Sequence, residues 1–383
     1  MKKFILVPDS FKGTLSSTQI CGIMREEIAA VFPDAEICAV PVADGGEGSV
    51  EAFLAAVGGE KKQVAVKGPY GEDITGFYGK LSDTLAVVEM AAAAGLPLVG
   101  ENLHAEKTTT YGVGQLIEAA AKDGAKKIIV GLGGSATHDG GAGCAAALGV
   151  RFFDERSERF VPVGETLKDI RRIDLSGRVA CLDGVTLVTM CDIDNPLCGE
   201  SGAAAVFGPQ KGADEPMVRL LDEGLRHFAA VLKRDTNADI LNLPGAGAAG
   251  GMGGGMVGLL GASLQMGIDT VLDTAGFDTL VQGAGLVLTG EGRIDGQSLR
   301  GKVVIGVAKR CQKQNVPVVA VVGDIADGAE AAYEAGVSAI FSINRRPMPF
   351  SESRFLSEHN MRLTMRNLIR LVSSVGANGI RRV

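Results

Sequence analysis

A chain of 383 residues, with 46% hydrophobic and 22% charged residues, is long enough for two domains and has the composition of a globular protein. Its formal net charge of −7, without a basic stripe, excludes a nucleic-acid-binding face. The apolar run after the two N-terminal lysines is too short for a secretory signal. Asn242 and Pro244 interrupt the longest uncharged stretch, so we expect no membrane span. Seven scattered cysteines without C-x-x-C predict reduced thiols and a cytoplasmic location.

The first part of the chain alternates short apolar strands with amphipathic helices. The strand in KKFILVPDS leads through a Gly- and Ser-bearing turn into a helical pattern around Thr18–Phe32. The strand in AEICAVPVADGGEG leads into a second helical pattern at Ser49–Val57. Strands that alternate with helices of this length predict βαβ units and a parallel sheet.

The middle of the chain follows a different pattern. Residues 63–91 alternate apolar and polar side chains between turn signals, which predicts an antiparallel meander. A helix at Tyr111–Lys122, the strand KKIIVGLGG and a longer mixed region follow. A glycine-rich run at 245–261 reads as a loop that continues into a buried helix.

The last part of the chain returns to strand–helix alternation. The strand GLVLT leads to a helix at Lys302–Lys313, VPVVAVVGD leads to a helix at Ala329–Ala335, and the strand VSAIFSI follows. We therefore expect the α/β class, with a discontinuous doubly wound parallel-sheet domain at 1–65 and 284–383. A second, mixed α/β domain at 66–283 would be inserted into it. The alternative is two consecutive domains that meet near residue 200.

The segment Gly296–Lys302 has the spelling of a P-loop without its final Ser or Thr. A P-loop needs that hydroxyl for Mg²⁺, and here the next residue is Val303. The preceding strand also ends about six residues too early for its loop to wrap a phosphate. We interpret the match as a coincidence, and expect carboxylates rather than a hydroxyl to bind a metal ion here.

The residues that directly follow apolar strands are the candidates for chemistry, because ligands bind beyond the carboxyl ends of parallel strands. Carboxylates suit Mg²⁺, glycine amides can approach phosphate oxygens, and Lys or Arg neutralises a transferred phosphoryl group. Each type also has a structural explanation, since Asp often caps a helix, and glycines permit tight turns and close helix packing. The candidates are Ser10, Lys12, Asp44, Gly133, Gly134, Ser135, Asp192, Gly253, Gly254, Arg293 and Asp295.

Several of these segments together resemble one family, the bacterial class I glycerate kinases. The similarity covers nearly the whole chain, and VFGPQKG with TGEGRID is its most specific part. The chain departs from the family's usual block at His138, where Asn is usual. The matching segments are PDSFKG (8–13), PVADGGEG (41–48), GGSATHDGGAG (133–143), CDIDNPLCG (191–199), GAAAVFGPQKGA (202–213), GAGAAGGMGGG (245–255) and TGEGRIDGQSLRGK (289–302).

The resemblance implies a kinase that phosphorylates D-glycerate with ATP and Mg²⁺ and forms 2-phosphoglycerate. It also implies two α/β domains, one flavodoxin-like and one inserted, with in-line phosphoryl transfer expected in the cleft between them. The partners it implies are D-glycerate and ATP, while charge and hydropathy predict no nucleic-acid or membrane partner. The oligomeric state is not fixed by the sequence, and a homodimer is left open.

The roles of individual residues follow from the chemistry of this reaction. Lys12 and Arg293 are expected to supply positive charge to the glycerate carboxylate and to the transferring phosphoryl group. Asp192 and Asp295 are the expected general base and Mg²⁺ ligands, with Asp44 as a further ligand. Substrate would contact Ser10, Lys12, Asp44 and Arg293, and the nucleotide phosphates would lie against Gly133, Gly134, Ser135, Gly253 and Gly254.

Two other functions remain open from the residues alone. A non-catalytic sugar-acid sensor could bind an anion in the same kind of cleft, although it would not need several acids at separate strand ends. A phosphatase or mutase could use similar residues and would turn over phosphoglycerate without ATP.

Overall fold

The computed structural model describes residues 3–42, 46, 48–296 and 302–378. It confirms the α/β class, with helices packed on parallel and mixed sheets. The predicted site residue Asp44 lies outside the described residues. Among the described helices, none combines the length and the apolar character that crossing a membrane requires.

The described strands are, in chain order, β1 (Lys3–Pro8), β2 (Glu36–Ala39), β3 (Glu60–Lys67), β4 (Asp73–Lys80), β5 (Leu85–Glu89), β6 (Lys127–Gly131), β7 (Arg151–Phe153), β8 (Arg159–Phe160), β9 (Arg172–Asp174), β10 (Thr186–Met190), β11 (Ser263–Gln265), β12 (Leu286–Gly290), β13 (Arg293–Ile294), β14 (Val318–Val322), β15 (Asp324–Ile325) and β16 (Ala339–Ser342). The described helices are α1 (Ser17–Ala29), α2 (Ser49–Val57), α3 (Ala91–Ala94), α4 (Leu96–Val99), α5 (Tyr111–Lys122), α6 (Ala142–Ala147), α7 (Ala203–Phe207), α8 (Glu215–Thr236), α9 (Ala248–Leu260), α10 (Gly267–Thr274), α11 (Phe277–Leu280), α12 (Val303–Gln312), α13 (Ala331–Glu334), α14 (Phe350–Ser353) and α15 (Ser357–Asn378).

The chain divides into two compact units. Unit 1 comprises Met1–Asp44, Ala55–Val57 and Ile268–Val383, and unit 2 comprises Gly45–Leu54 and Gly58–Gly267. Unit 1 is therefore discontinuous in sequence. The domain boundaries expected from the sequence, near residues 65 and 284, stay a prediction.

Unit 1 is built on a parallel sheet with the strand order β2-β1-β12-β14-β16. Successive side chains of a strand point to opposite faces of the sheet. Val319 and Val321 of β14 accordingly pack in the core beneath α1 and α15. Ala320 and Val322 pack in a second core with α12 and α13. The continuous apolar run of β14 thus reflects burial on both faces, as is typical of parallel sheets.

The start of α1 is set by a capping box. The Gln19 amide donates to Ser16 Oγ (3.2 Å), and the Ser16 amide donates to Gln19 Oε1 (2.8 Å). These two bonds satisfy amide groups that a helix otherwise leaves without partners. They hold the chain that returns from the carboxyl end of β1, where the candidate residues Ser10 and Lys12 lie.

Unit 2 is built on a mixed sheet with the strand order β11-β10-β6-β5-β4-β3. The expected antiparallel meander is confirmed, because β3 pairs with β4 and β4 with β5 in antiparallel fashion. From β5 onward the pairs β5–β6, β6–β10 and β10–β11 are parallel. A small sheet of order β8-β7-β9 completes the unit. The parallel half therefore gathers the carboxyl ends of four neighbouring strands at one edge.

Candidate functional site

The carboxyl edge of the unit 1 sheet brings two candidate loops together. Pro8 and Gly290 stand opposite each other in the pair β1–β12, so Asp9 and Glu291 follow at neighbouring strand ends. The Asp9 amide donates to the Gly290 carbonyl (2.8 Å), and the Ser10 amide donates to Asp9 Oδ1 (2.6 Å). Because these bonds hold the turn after β1, Ser10 and the exposed Lys12 belong to the same edge as the loop after β12.

Arg293 lies near two carboxylates at this edge. β13 pairs with β15 so that Arg293 stands opposite Asp324. Its Nε atom is 3.9 Å from Asp295 Oδ2 and 3.9 Å from Asp324 Oδ2. The arginine side chain is 62% exposed, so neither ion pair withdraws it from solvent. Sequence reasoning missed Asp324, although it follows the apolar run of β14 as the other candidates follow theirs.

The second group of candidates lies at the carboxyl edge of the unit 2 sheet. Glu89, Gly131 and Met190 stand side by side in β5, β6 and β10. Gly133 and Asp192, which follow two of these strands, therefore belong to one edge. Gly134 and Ser135 continue the turn after Gly133 and lie at this edge as well, whereas the predicted residues Gly253 and Gly254 lie inside α9.

Asp192 has a structural role that the sequence left open. Its Oδ1 atom accepts a hydrogen bond from the Gly267 amide (2.6 Å), the first residue of α10. A carboxylate at this position caps the helix and interacts favourably with its dipole. Capping and catalysis are not exclusive, and they can be separated by a substitution that keeps the oxygen and removes the charge.

The turn after β6 exposes a glycine and buries a serine. Gly134 is exposed and has φ = 74°, a backbone conformation that glycine adopts without strain. Its carbonyl accepts from the Leu96 amide (2.8 Å), which anchors the turn. Ser135 is 6% exposed, and its Oγ accepts from the Thr137 amide (3.2 Å). The predicted phosphate-binding residues thus form a well-anchored turn with one face open to solvent.

Beneath this turn lies Lys211, which sequence reasoning did not select. It is 2% exposed, and its Nζ donates to the Thr137 carbonyl (2.7 Å) and to Ser135 Oγ (3.2 Å). Burial lowers the pKa of Lys211 from 10.5 to about 7, partly opposed by the negative charge of Asp139. The signal in the sequence was its place in VFGPQKG, the most specific of the matching segments. A lysine in a surface turn gives no indication of burial by itself.

The lowered pKa predicts a pH dependence of stability. Below about pH 7, Lys211 is protonated in both folded and unfolded chains. Above it the folded chain loses this proton while the unfolded chain keeps it, so the free energy of unfolding rises, by at most about 1.4 kcal/mol per pH unit. Urea unfolding in phosphate-free buffer, from about pH 6.5 to about pH 8.5, should show this rise. Lys211→Met should lack it, and an equal rise in the variant would contradict the assignment.

Two neighbouring residues are buried as completely as Lys211. Asp139 is 0% exposed and accepts hydrogen bonds from both the amide and the hydroxyl of Thr110, and from the Gly141 and Gly143 amides. Burial nevertheless raises its pKa. His138 is also 0% exposed, and within the described residues neither ring nitrogen has a hydrogen-bond partner. Burial, and then the charge of Lys211, hold its pKa well below the ordinary value, so the imidazole is neutral.

Glu89, the last residue of β5, is a further residue that the sequence reasoning missed. It is 2% exposed, and its Oε2 accepts from the Val50 amide (3.0 Å) near the start of α2. Burial raises its pKa, which the backbone hydrogen bond opposes. A carboxyl group of this kind can hold the helix or exchange a proton. Its signal was an acid at the end of an apolar strand.

Gly253 and Gly254 lie inside α9, and both are buried. A Cβ atom on Gly253 would lie 2.3 Å from the Gly245 carbonyl oxygen, and one on Gly254 would lie 3.0 Å from Ile240 Cδ1 and 3.3 Å from Ala246 Cβ. Close packing of the helix on the preceding loop thus explains both glycines. Their predicted contact with nucleotide phosphates stays a prediction.

The donor set for a metal ion is limited to carboxylate pairs in the described part of the chain. No group of three or more His, Cys, Asp or Glu side chains there could hold a metal ion. Asp295 Oδ2 and Asp324 Oδ2 are nevertheless each 3.9 Å from the same atom, Arg293 Nε. Mg²⁺ in kinases usually takes one or two carboxylates, with the remaining positions filled by phosphate oxygens and water. A pair of acids at this edge fits that requirement.

Comparison with known proteins shows the family to which the chain is similar. A family model described as the glycerate kinase family matches residues 4–373. The chain is 43% identical over 372 residues to the glycerate kinase of Bacillus cereus, covering 96% of this chain and 97% of the relative. It is 43% identical over 343 residues to the glycerate 2-kinase of Escherichia coli K12, covering 89% and 90%. A crystal structure described as a presumed glycerate kinase 2 from Salmonella typhimurium LT2 matches with a TM-score of 0.87 and 39% identity, covering 98% of this chain and 99% of the other.

Proposed function

Because the chain belongs to the glycerate kinase family, we propose that this kinase transfers the terminal phosphoryl group of ATP to D-glycerate and forms 2-phosphoglycerate. The similarity to the Escherichia coli glycerate 2-kinase over most of both chains carries the proposal. The two edges of acids, cations and glycines support it, because phosphoryl transfer needs positioned charge more than covalent chemistry from the protein. A cytoplasmic location and a homodimer stay predictions.

We also propose that unit 1 is a flavodoxin-like domain and that unit 2 is inserted into it. The strand order of unit 1 supports this, since numbering its five strands along the chain gives 2-1-3-4-5, the flavodoxin-like order. The chain enters unit 2 after the second strand of that sheet and returns before the third. That both units contribute residues to one reaction remains a prediction from the sequence.

Within unit 1, the two cations can be given different tasks. Arg293 lies beside the carboxylates of Asp295 and Asp324, where a metal ion and the phosphates would be, and its planar guanidinium suits a phosphoryl group. Lys12 and Ser10 lie on the neighbouring loop after β1 and would bind the carboxylate and a hydroxyl of glycerate. Asp295 and Asp324 would hold Mg²⁺, which when bound neutralises charge on the phosphates.

Within unit 2, Asp192 would orient the attacking hydroxyl and accept its proton. Gly133, Gly134 and Ser135 would bind the nucleotide phosphates, because the turn after β6 presents an exposed glycine beside a serine hydroxyl. These assignments agree with the position of both segments at one sheet edge.

A coupled assay of ADP release tests the proposed function. We expect ADP release that depends on both D-glycerate and Mg²⁺, and a proton-coupled phosphorus NMR spectrum in which the product phosphate couples to one proton, as an ester at carbon 2 requires. Binding of glycerate without ADP release would favour the sensor. Turnover of phosphoglycerate without ATP would favour a phosphatase or mutase.

A further inference from the structure

Among the described residues, the ammonium group of Lys211 has only neutral hydrogen-bond partners. Its acceptors are the Thr137 carbonyl and Ser135 Oγ, at 2.7 and 3.2 Å. No ion pair within 4.0 Å involves this lysine in the part of the chain that the structure describes. Burying a cation without a contacting anion is unfavourable by several kcal/mol. A buried lysine without a contacting anion therefore lowers stability, which suggests that it serves the function of the protein and not its fold.

The hydrogen bonds around Ser135 determine which group it can bind. Its oxygen accepts from the Lys211 ammonium (3.2 Å) and from the Thr137 amide (3.2 Å), which together use both lone pairs of the hydroxyl. Its own proton has only the Thr137 oxygens as partners among the described residues, at 3.3 and 3.5 Å. These distances exceed the 2.7–2.8 Å that hydroxyl donors prefer. The Ser135 hydroxyl therefore has only long hydrogen bonds to donate among the described residues, and it lies next to the exposed Gly134, where a ligand oxygen could accept a shorter one.

We propose that Lys211 is a positioning residue for a phosphate subsite formed by Gly133, Gly134 and Ser135, which it serves by fixing the Ser135 hydroxyl as a donor and by holding positive charge beneath the turn. The ligand is a phosphate group of the nucleotide. This identification rests on the proposed kinase function. Lys211 is 76 residues from Ser135 along the chain. It would supply the positive charge that a P-loop takes from the lysine within its own loop.

Phosphate binding in this subsite requires Lys211 to be protonated. Without ligand, the pKa of Lys211 is about 7, so the side chain is mostly neutral near pH 8. Two titratable groups act on or respond to it: the buried Asp139, whose charge raises its pKa, and the neutral His138. A bound phosphate adds a second negative charge to that of Asp139 and therefore raises the pKa of Lys211 above about 7. Nucleotide binding near pH 8 should therefore take up a proton.

Titration calorimetry of ADP binding in two buffers of different ionisation enthalpy tests this at about pH 8, where the ADP phosphates are already ionised. We expect uptake of about one proton by the wild-type protein. Lys211→Met should lose the uptake and weaken ADP binding by at least about tenfold. Lys122→Met, which removes an exposed lysine paired with Glu118, is the matched control and should behave like the wild type.

Kinetics distinguish positioning from a general structural role. Lys211→Met should raise KM for ATP and leave KM for glycerate within about twofold. Should that variant not fold, Ser135→Ala should raise KM for ATP in the same way while retaining proton uptake. Unchanged proton uptake in folded Lys211→Met, or a rise in KM for glycerate alone, would overturn the proposal. Loss of glycerate-dependent ADP release in the wild type would instead refute the kinase reaction, while ADP binding could still be measured.

Discussion

Replacement of Asp192 by asparagine is expected to lower kcat by at least about 100-fold and to lower the free energy of unfolding by no more than about 1 kcal/mol, the loss of the charge–dipole interaction. Asparagine keeps an oxygen that can accept from the Gly267 amide, now at 2.6 Å from Oδ1, and it caps helices about as well as aspartate. The substitution removes only the negative charge and the ability to take a proton. Steady-state ADP release and urea unfolding of the same preparation measure the two effects.

The matched control is Asp183→Asn, because Asp183 and Asp192 flank the same strand, β10. Asp183 precedes β10, whereas Asp192 follows it, and its side chain is 74% exposed. This variant should retain wild-type kcat within about twofold. Near-normal turnover in Asp192→Asn would show that capping α10 is the sole role of the residue, and the general base would have to be sought elsewhere.

Replacement of Gly250 by alanine is expected to destabilise the protein by about 3 kcal/mol or more. Gly250 has φ = 65°, which strains any residue with a Cβ atom. The added Cβ would also lie 2.0 Å from the Thr137 carbonyl oxygen. That oxygen accepts the shorter hydrogen bond from Lys211, so its displacement should weaken ADP binding as well.

Gly261→Ala provides the control for backbone strain alone. Gly261 ends the same helix with φ = 70°, and no atom of the described residues lies within 4 Å of an added Cβ. We expect a loss of about 1 kcal/mol there. Urea midpoints for the two variants give the difference. Equal destabilisation of the two variants would mean that the backbone at Thr137 shifts at no cost in free energy. The contact between the added Cβ and the Thr137 carbonyl would then not destabilise the protein.

Local pattern was enough to predict much of the fold. The predicted helices Ser49–Val57 and Tyr111–Lys122 match α2 and α5, and the antiparallel meander is confirmed. These elements carry their own signals, such as a 3.6-residue apolar period or a strict alternation. α1 ends at Ala29, whereas the predicted helix extended to Phe32. The prediction was too long because Val31 and Phe32, beyond the helix, also pack against the core and so continue the apolar pattern.

The candidate site was predictable only in part, for a physical reason. Residues such as Ser10 and Arg293 could be selected as candidates because the end of a parallel strand fixes where the next residues lie. Lys211 was not found, since its burial depends on how a distant turn packs against the loop after β6. Gly253 is similar, because its explanation is a close approach to the backbone of Gly245. Such contacts are set by tertiary packing, which no short window of sequence records.

The strand order of unit 2 has a consequence for assembly. β3 is the last strand of its sheet, and it carries Lys61, Lys62 and Lys67, each paired with an acidic side chain. The strand at the other margin, β11, has only three residues. Charged and short margins both oppose the addition of a foreign strand. Aggregation through this sheet is thereby discouraged, and two copies of the chain would have to join through some other surface.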